Sequence, residues 1–437
     1  MDTSHDFDIR REEITMGKKK LDYKWIIVAL SFVMVMTALG FCSSIKGKYV
    51  APVSTVLGID RSQYLFTNTF RSVTTAVLNL FFGTLIAKFG NKKLICAGFI
   101  SLISSCLLNS FATNVYMIYG GGVLLGLGLA WTTTAMVSSV VNKWCKENKG
   151  TIMGLVLASN GIGGVIAAQT IVPIINSGDE GFRTAYRVVA CILSVVLVLI
   201  VIFFREKPKN FSGTTEVTKK KGRGQSWVGI SFADARKTVY FYVAIVCILL
   251  TGFVLAGVQD ISYDHMEVSG VDLEFITLIM SAHSISLAGF KFLTGFLYDK
   301  LGLRKTMNIC SIAALVSMIS LAFVTDTKAG AGLAMVYGIV SSLALPLETI
   351  MIPIYASDLF GQKSFEQILG IFVSVNTLGL AIGSPAMGWC YDKFNSYRPM
   401  LLCAAIAMLI SIITMQFVLT AAKKTRNKVE QRGLENE

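Results

Sequence analysis

At 437 residues, 53% hydrophobic and only 15% charged, this chain is too apolar to live in water. Soluble domains carry about 25% charge, and a globular surface already holds as much apolar area as it can bear, so the excess must face lipid. The net charge of +13 would suit nucleic acid, but the Lys and Arg residues fall in short segments between apolar runs. That placement fits anionic lipid headgroups and argues against a nucleic-acid partner.

Residues 1–24 are polar and charged (His5, Asp6, Arg10, Arg11, Lys18, Lys19, Lys20). They lack the short apolar core and small-residue cleavage site of a secretion signal and read as a cytoplasmic tail. Apolar runs of about 18–25 residues then follow one another, each long enough to cross a hydrocarbon core of about 30 Å. The first six spans are expected at Trp25–Ser44, Gln63–Ala87, Leu94–Phe111, Val115–Val140, Thr151–Ile175 and Ala185–Phe204. The second six are expected at Val239–Val258, Leu273–Tyr298, Met307–Val324, Ala329–Ile354, Ile368–Trp389 and Met400–Leu419. Each must be helical, because backbone polar groups find no water in lipid. The fold class is thus an all-α integral membrane protein with twelve transmembrane helices.

Between the sixth and seventh spans, residues 205–238 form a basic linker (Lys207, Lys209, Lys219–Lys221, Arg223, Arg236, Lys237) expected to lie along the lipid surface. It divides a first bundle, 25–204, from a second, 239–419, and a tail covers 420–437. Cations concentrate in the turns on one side: Lys88, Lys92, Lys93; Lys143, Lys146, Lys149; Lys300, Arg304, Lys305; Lys423, Lys424, Arg426. The other side holds the acidic stretch Asp260, Asp264, Glu267, Asp272. By the positive-inside bias both termini are cytoplasmic, in a cell membrane. The nine cysteines show no CxxC or Cys/His spacing, so neither a metal site nor a disulfide framework is expected, and no cofactor.

The most specific signal is internal repetition. Gly83-Thr-Leu-Ile-Ala87-Lys88-Phe89-Gly90-Asn91-Lys92-Lys93 follows the second span, and Gly295-Phe-Leu-Tyr-Asp299-Lys300-Leu301-Gly302-Leu303-Arg304-Lys305 follows the eighth. Residue 83 maps onto 295 and residue 92 onto 304, a constant offset of 212. A duplicated half with cations in its turn is the mark of transporters built from two six-helix halves.

Both segments resemble the loop signature of the major facilitator superfamily, GxxxD(R/K)xGx(R/K)(R/K), and the resemblance runs from Trp25 to Leu419. The second copy is complete, whereas in the first Ala87 stands in place of the acid. Gly122 likewise stands where the family's fourth helix places an Arg. The resemblance implies two pseudo-symmetric six-helix bundles, with the two copies serving as gating loops. Within the superfamily, the stretch from Trp144 through Lys149, Gly150, Gly154 and Asn160 to Gly161 resembles the entry to the fifth helix in the monocarboxylate-transporter and oxalate–formate-antiporter branch. Lys291 falls where that branch places an Arg that holds the substrate carboxylate. Leu287 occupies the place of its partner Asp, so a proton switch of that type is not expected.

Charges deep in lipid cost about 2.5–3.5 kcal/mol each on insertion scales and default to function. Lys291 lies about 13 Å along a helix from Lys300, near the midplane. Glu348 has a similar depth in the tenth span, and Arg71 sits farther out, about 25 Å from Lys88. Residue 71 maps onto His283 under the repeat offset. Substrate contacts are expected from Lys291, Arg71, Lys46, Trp131 and Asn160, with Glu348 and His283 as counter-ions or proton carriers. A Lys291–Glu348 pair could equally be structural. Small residues such as Gly150, Gly154, Ala158 and Gly161 read as helix-contact surfaces.

The expected function is secondary transport of a small organic anion, monocarboxylate-like, by alternating access in a monomer, with a proton or counter-anion as symport or antiport partner. A dicarboxylate or phosphorylated-sugar antiporter and a non-transporting membrane sensor are the alternatives. No nucleophile–base pair, metal cluster or phosphate-cradling loop points to an enzyme.

Overall fold

The computed structural model describes residues 23–145, 147–178, 180–206, 227 and 229–435. Nearly all of the N-terminal tail, Lys146, and the linker cations Lys207, Lys209, Lys219–Lys221 and Arg223 lie outside the described residues.

Twelve helical segments follow in order: α1 Tyr23–Leu57, α2 Arg61–Leu80, α3 Phe82–Ser110, α4 Val115–Trp144, α5 Lys149–Ile175 and α6 Gly181–Phe203. The second half holds α7 Val239–Val268, α8 Leu273–Leu301, α9 Leu303–Ala322, α10 Lys328–Thr349 continued by Met351–Phe360, α11 Phe365–Phe394 and α12 Arg398–Glu435. Among the described residues, eleven helices are long and apolar enough to cross a membrane. The remaining one, α2, carries Arg61, Gln63, Asn68, Arg71 and Asn79, so it cannot present an apolar surface all round. The second crossing continues from α2 through Phe81 into the first turns of α3.

The repeat is written into the backbone. Gly90 (φ 77°, ψ 167°) breaks α3 after the second crossing, and Gly302 (φ 80°, ψ 171°) separates α8 from α9. The two are equivalent under the 212-residue offset and share one conformation that an L side chain rarely adopts.

Two elements run longer than their apolar stretches. Helix α7 continues past Val258 to Val268, because hydropathy marks the lipid boundary whereas a helix persists until its carbonyls meet a stop, here Ser269 and Gly270. Helix α12 likewise extends to Glu435. The linker's last described residues do not lie loose on lipid. Trp227 is buried and donates from Nε1 to the Asp358 carbonyl (3.2 Å), and the Ile230 N–H donates to the Phe360 carbonyl (3.1 Å).

Three crossings are irregular at depth. In α1, Met36–Ser44 is π-helical and passes into a 3₁₀ turn at Lys46–Tyr49. Helix α4 breaks after Ala130 and resumes at Thr134, where the Thr132 and Thr133 hydroxyls donate to the Gly128 and Leu129 carbonyls (2.8 and 2.7 Å). Helix α10 breaks around Pro346, which has no N–H to give.

The halves meet through α5 on α8 and through α2 and α3 on α11. Glycine permits the approach: a Cβ on Gly295 would lie 2.0 Å from the Gly150 carbonyl oxygen, and one on Gly154 would lie 2.6 Å from that of Lys291. The small-residue stripe at Gly150, Gly154 and Gly161 is therefore a helix-contact surface. The described hydrogen bonds and ion pairs between the halves gather toward the end that carries the basic turns. Asp299 caps α5, accepting from the Gly150 N–H (3.1 Å), the Thr151 N–H (2.7 Å) and the Thr151 hydroxyl (2.6 Å). Lys143 pairs with Glu366 (3.4 Å), Asn142 donates to Gln362, and Ser374 donates to the Ala76 carbonyl (2.5 Å).

Gly295→Ala is expected to lower the melting temperature of the purified protein, since overpacking costs roughly 1–3 kcal/mol. Gly289→Ala, at a position with nothing within 4 Å, is expected to leave it unchanged. Equal melting temperatures for the two variants would refute this account of the α5–α8 contact.

Candidate functional site

The charged residues inside the membrane form one connected series. Lys46 follows the π-helical stretch of α1 and donates from Nζ to Asn68 Oδ1 (2.9 Å) on α2. One helical turn along α2, Arg71 donates to Ser43 Oγ (3.0 Å) at the end of the π segment, so two bonds tie α1 to α2 here. Lys46 and Arg71 interact electrostatically. Arg71 interacts in turn with Asp260 of α7, across the boundary between the halves. Asp260 also acts on Glu348, and Glu348 on Lys291. Of these influences, Arg71 with Asp260 and Lys291 with Glu348 attract, whereas Lys46 with Arg71 and Asp260 with Glu348 repel.

Lys291 is 7% exposed on α8, with Gly154 of α5 packed against its backbone carbonyl. Glu348 sits in the break of α10; its Oε1, with the neighbouring Thr349 hydroxyl, is buried without a hydrogen-bond partner among the described residues. Trp131 occupies the break of α4, and its indole Nε1 is likewise buried and unpartnered among those residues. Asn160 of α5 accepts from Ser44 Oγ (3.0 Å) and so steadies the far end of the π segment.

Not every expected site residue joins the series. His283 is buried within the second half, its Nδ1 donating toward the Gly338 carbonyl (3.0 Å) with Ser341 Oγ also near (3.1 Å), both on α10. Its position ties α8 to α10, whereas its repeat counterpart Arg71 reaches toward the opposite half. Lys46 also lines a small void inside the first half with Tyr49, Tyr64 and Tyr186, and Asn376 and Ser411 line its counterpart in the second. Each has room for little more than a water molecule.

The two basic turns differ. In the second, Asp299 reaches across to α5, and Arg304 donates to Thr420 Oγ1 (2.8 Å). Lys300 lies over the Phe296 ring (4.4 Å), and Lys305 is exposed. In the first, with Ala87 in the acid's place, Glu206 supplies a carboxylate instead and accepts from the Asn91 N–H (2.7 Å). Gly83 packs against Gln367, Lys92 donates to the Val201 carbonyl (2.8 Å), Lys88 lies over the Phe89 ring (5.4 Å), and Lys93 is exposed. Contact with α11 passes to Lys143, which bonds Asn91 (2.9 Å) and Glu366 together.

Reading the sequence missed Asp260, which it assigned to a loop after Val258, and the cross-half partners Lys143, Asn142, Gln362 and Glu366. For Asp260 a signal existed: Gly252, Ala256, Gln259, Asp260 and Tyr263 keep helical spacing beyond the apolar run. For the cross-half pairs no spacing could reveal partners that lie more than 200 residues apart.

The family model described as Major Facilitator Superfamily matches residues 25–337 and 261–436. The uncharacterized MFS-type transporter YcxA of Bacillus subtilis is 22% identical over 387 residues, 86% of this chain and 90% of that protein. The sialic acid transporter NanX of Escherichia coli is 22% identical over 62% of this chain and 64% of its own length. The proton:xylose symporter XylE superposes with a TM-score of 0.71 at 14% identity, covering 91% of this chain and 96% of that one. The E. coli fucose:proton symporter FucP gives 0.66 at 15%, covering 91% and 99%. The chain belongs to the major facilitator superfamily and is a multi-pass secondary active transporter, not an enzyme.

Proposed function

We propose that this transporter carries a small organic anion of the monocarboxylate type by alternating access, with both termini and the basic turns on the cytoplasmic side. The observation that carries this reading is the charge series of Lys46, Arg71, Asp260, Glu348 and Lys291. By formal charge it holds three cations against two carboxylates. One net positive charge remains in a region where isolated charge is costly, and a monoanion would cancel it. A dicarboxylate or phosphorylated sugar would overshoot, which sets the antiporter reading second.

Lys291 would take the substrate carboxylate, in line with the resemblance to the monocarboxylate branch. Arg71, shared between Ser43 and Asp260, would guide the anion from the far side. Glu348 or Asp260 would carry a coupled proton; XylE and FucP, named as proton symporters, support such coupling, and NanX, named for sialic acid, supports an acidic substrate. With the halves latched at the basic end, the cleft would open to the exterior. Closure there and opening here would complete the cycle around a fixed site.

In proteoliposomes, Lys291→Ala is expected to reduce uptake of labelled monocarboxylates by on the order of 100-fold, the usual cost of removing a buried charge contact. Uptake equal to that of the unaltered protein would sink the assignment. Charge reversal at the latch gives a second outcome. Lys143→Glu is expected to slow counterflow by destabilising the latched state, and the double variant Lys143→Glu/Glu366→Lys to recover most of the rate. A double variant no better than the single one would remove Lys143–Glu366 from the gate.

A further inference from the structure

Helix α10 ends at Phe360 on the basic side, and its last carbonyls have no partner within the helix. The final described residues of the linker supply partners from outside. The buried indole of Trp227 donates from Nε1 to the Asp358 carbonyl (3.2 Å), and the Ile230 N–H donates to the Phe360 carbonyl (3.1 Å). In return the Trp227 carbonyl accepts from the N–H of Gln362 (3.2 Å), two residues beyond the helix. Gly229 and Gly361 (φ 90° and 80°) lie backbone against backbone between these bonds, so close that a Cβ on either would collide with the other. The linker thus grips this turn through its main chain.

The side chains of the same turn grip the first half. Gln362 Oε1 accepts from Asn142 Nδ2 of α4, and Asn142 Oδ1 accepts from Lys149 Nζ of α5 (2.6 Å). Lys149 in turn attracts the Asp358 carboxylate, which also accepts from the Tyr298 hydroxyl of α8 (2.8 Å). Helix ends fray over their last turn unless something caps them. Fraying here would draw Asp358 away from Lys149 and Gln362 away from Asn142 together.

We propose that Trp227 is a positioning residue for the gate: by capping α10 it holds Asp358 and Gln362 against the first half, and so sets how readily the basic end opens in the transport cycle. This rests on the latched basic end proposed above and holds for any solute. The amides of Gly150 and Thr151 report the opening. They lie in the first turn of α5, where N–H groups have no helical partner, and both donate to Asp299 across the boundary. They belong to the half opposite the turn that Trp227 caps.

The test is hydrogen–deuterium exchange of the purified full-length protein, read by mass spectrometry with no solute added. Trp227→Phe keeps an aromatic body and removes the indole N–H. It is expected to speed exchange at Gly150 and Thr151 by about fivefold, the usual share of one hydrogen bond, and Trp227→Ala to speed it further. Asn142→Ala, which removes the cross-half bond itself, is expected to speed it by about fivefold as well. The double variant Trp227→Phe/Asn142→Ala is expected to fall short of the product of the two effects, because both act on one contact. If Trp227→Phe speeds exchange at residues 358–362 alone while Asn142→Ala speeds it at Gly150 and Thr151, the cap is local and the proposal is overturned. Effects that multiply in full overturn it too. If neither variant changes exchange at Gly150 and Thr151, the latched reading of this end falls with it. Should Trp227→Ala fail to fold, the Phe variant decides alone.

Discussion

The constraint behind this molecule is that a charge held in hydrocarbon must be answered by another group. Arg71 meets it through Asp260, Lys291 through Glu348, and Lys46 through the Asn68 amide oxygen. Lys291 and Asp260 sit on the unbroken helices α8 and α7, whereas the other three stand in irregular or polar settings. Lys46 lies just past a π segment, Glu348 lies in a proline break, and Arg71 lies on the one crossing too polar to pass for a lipid-facing helix. Irregular backbone and charge meet at Lys46 and Glu348, where each makes the other tolerable: broken helices bring polar atoms inward, and charges need polar atoms.

Much of this was legible in the residues. Apolar runs placed the crossings, and the 212-residue echo of Gly90 in Gly302 announced a duplicated half whose two turns indeed share one backbone conformation. Counting along helices also singled out Lys291 and Glu348 as a possible pair, and each feels the other's charge. What escaped the sequence has a common cause. Hydropathy reports where lipid ends and says nothing of where a helix ends, so Asp260 was taken for a loop residue although α7 carries it inside the bundle. His283 shared a repeat position with Arg71, yet neighbouring side chains turned it into a tie between α8 and α10. Duplication preserves backbone more faithfully than it preserves partners.

The two copies of the basic turn show how such divergence is absorbed. Asp299 caps α5 with both oxygens and binds one half to the other directly. Ala87 cannot do the equivalent for α11. In that copy, Glu206 at the start of the linker serves the turn, while Lys143 of α4 carries the contact to Glu366. One acid's two tasks, holding its own turn and reaching the opposite half, are divided between two residues from different elements. The first half is thereby coupled to the linker at the place where the second is self-sufficient.

The π-helical stretch Met36–Ser44 has its own consequence for how α1 can move. A π turn accommodates an additional residue per hydrogen-bonded ring compared with an α turn. Rewinding even one such turn would rotate everything beyond it by about 100° and shift it by about 1.5 Å along the axis, without disturbing the packing nearer Tyr23. Ser43, Ser44 and Lys46 would swing off Arg71, Asn160 and Asn68 together. A whole polar face can thus be presented or withdrawn by a change of winding within a few residues, with the rest of the crossing held still.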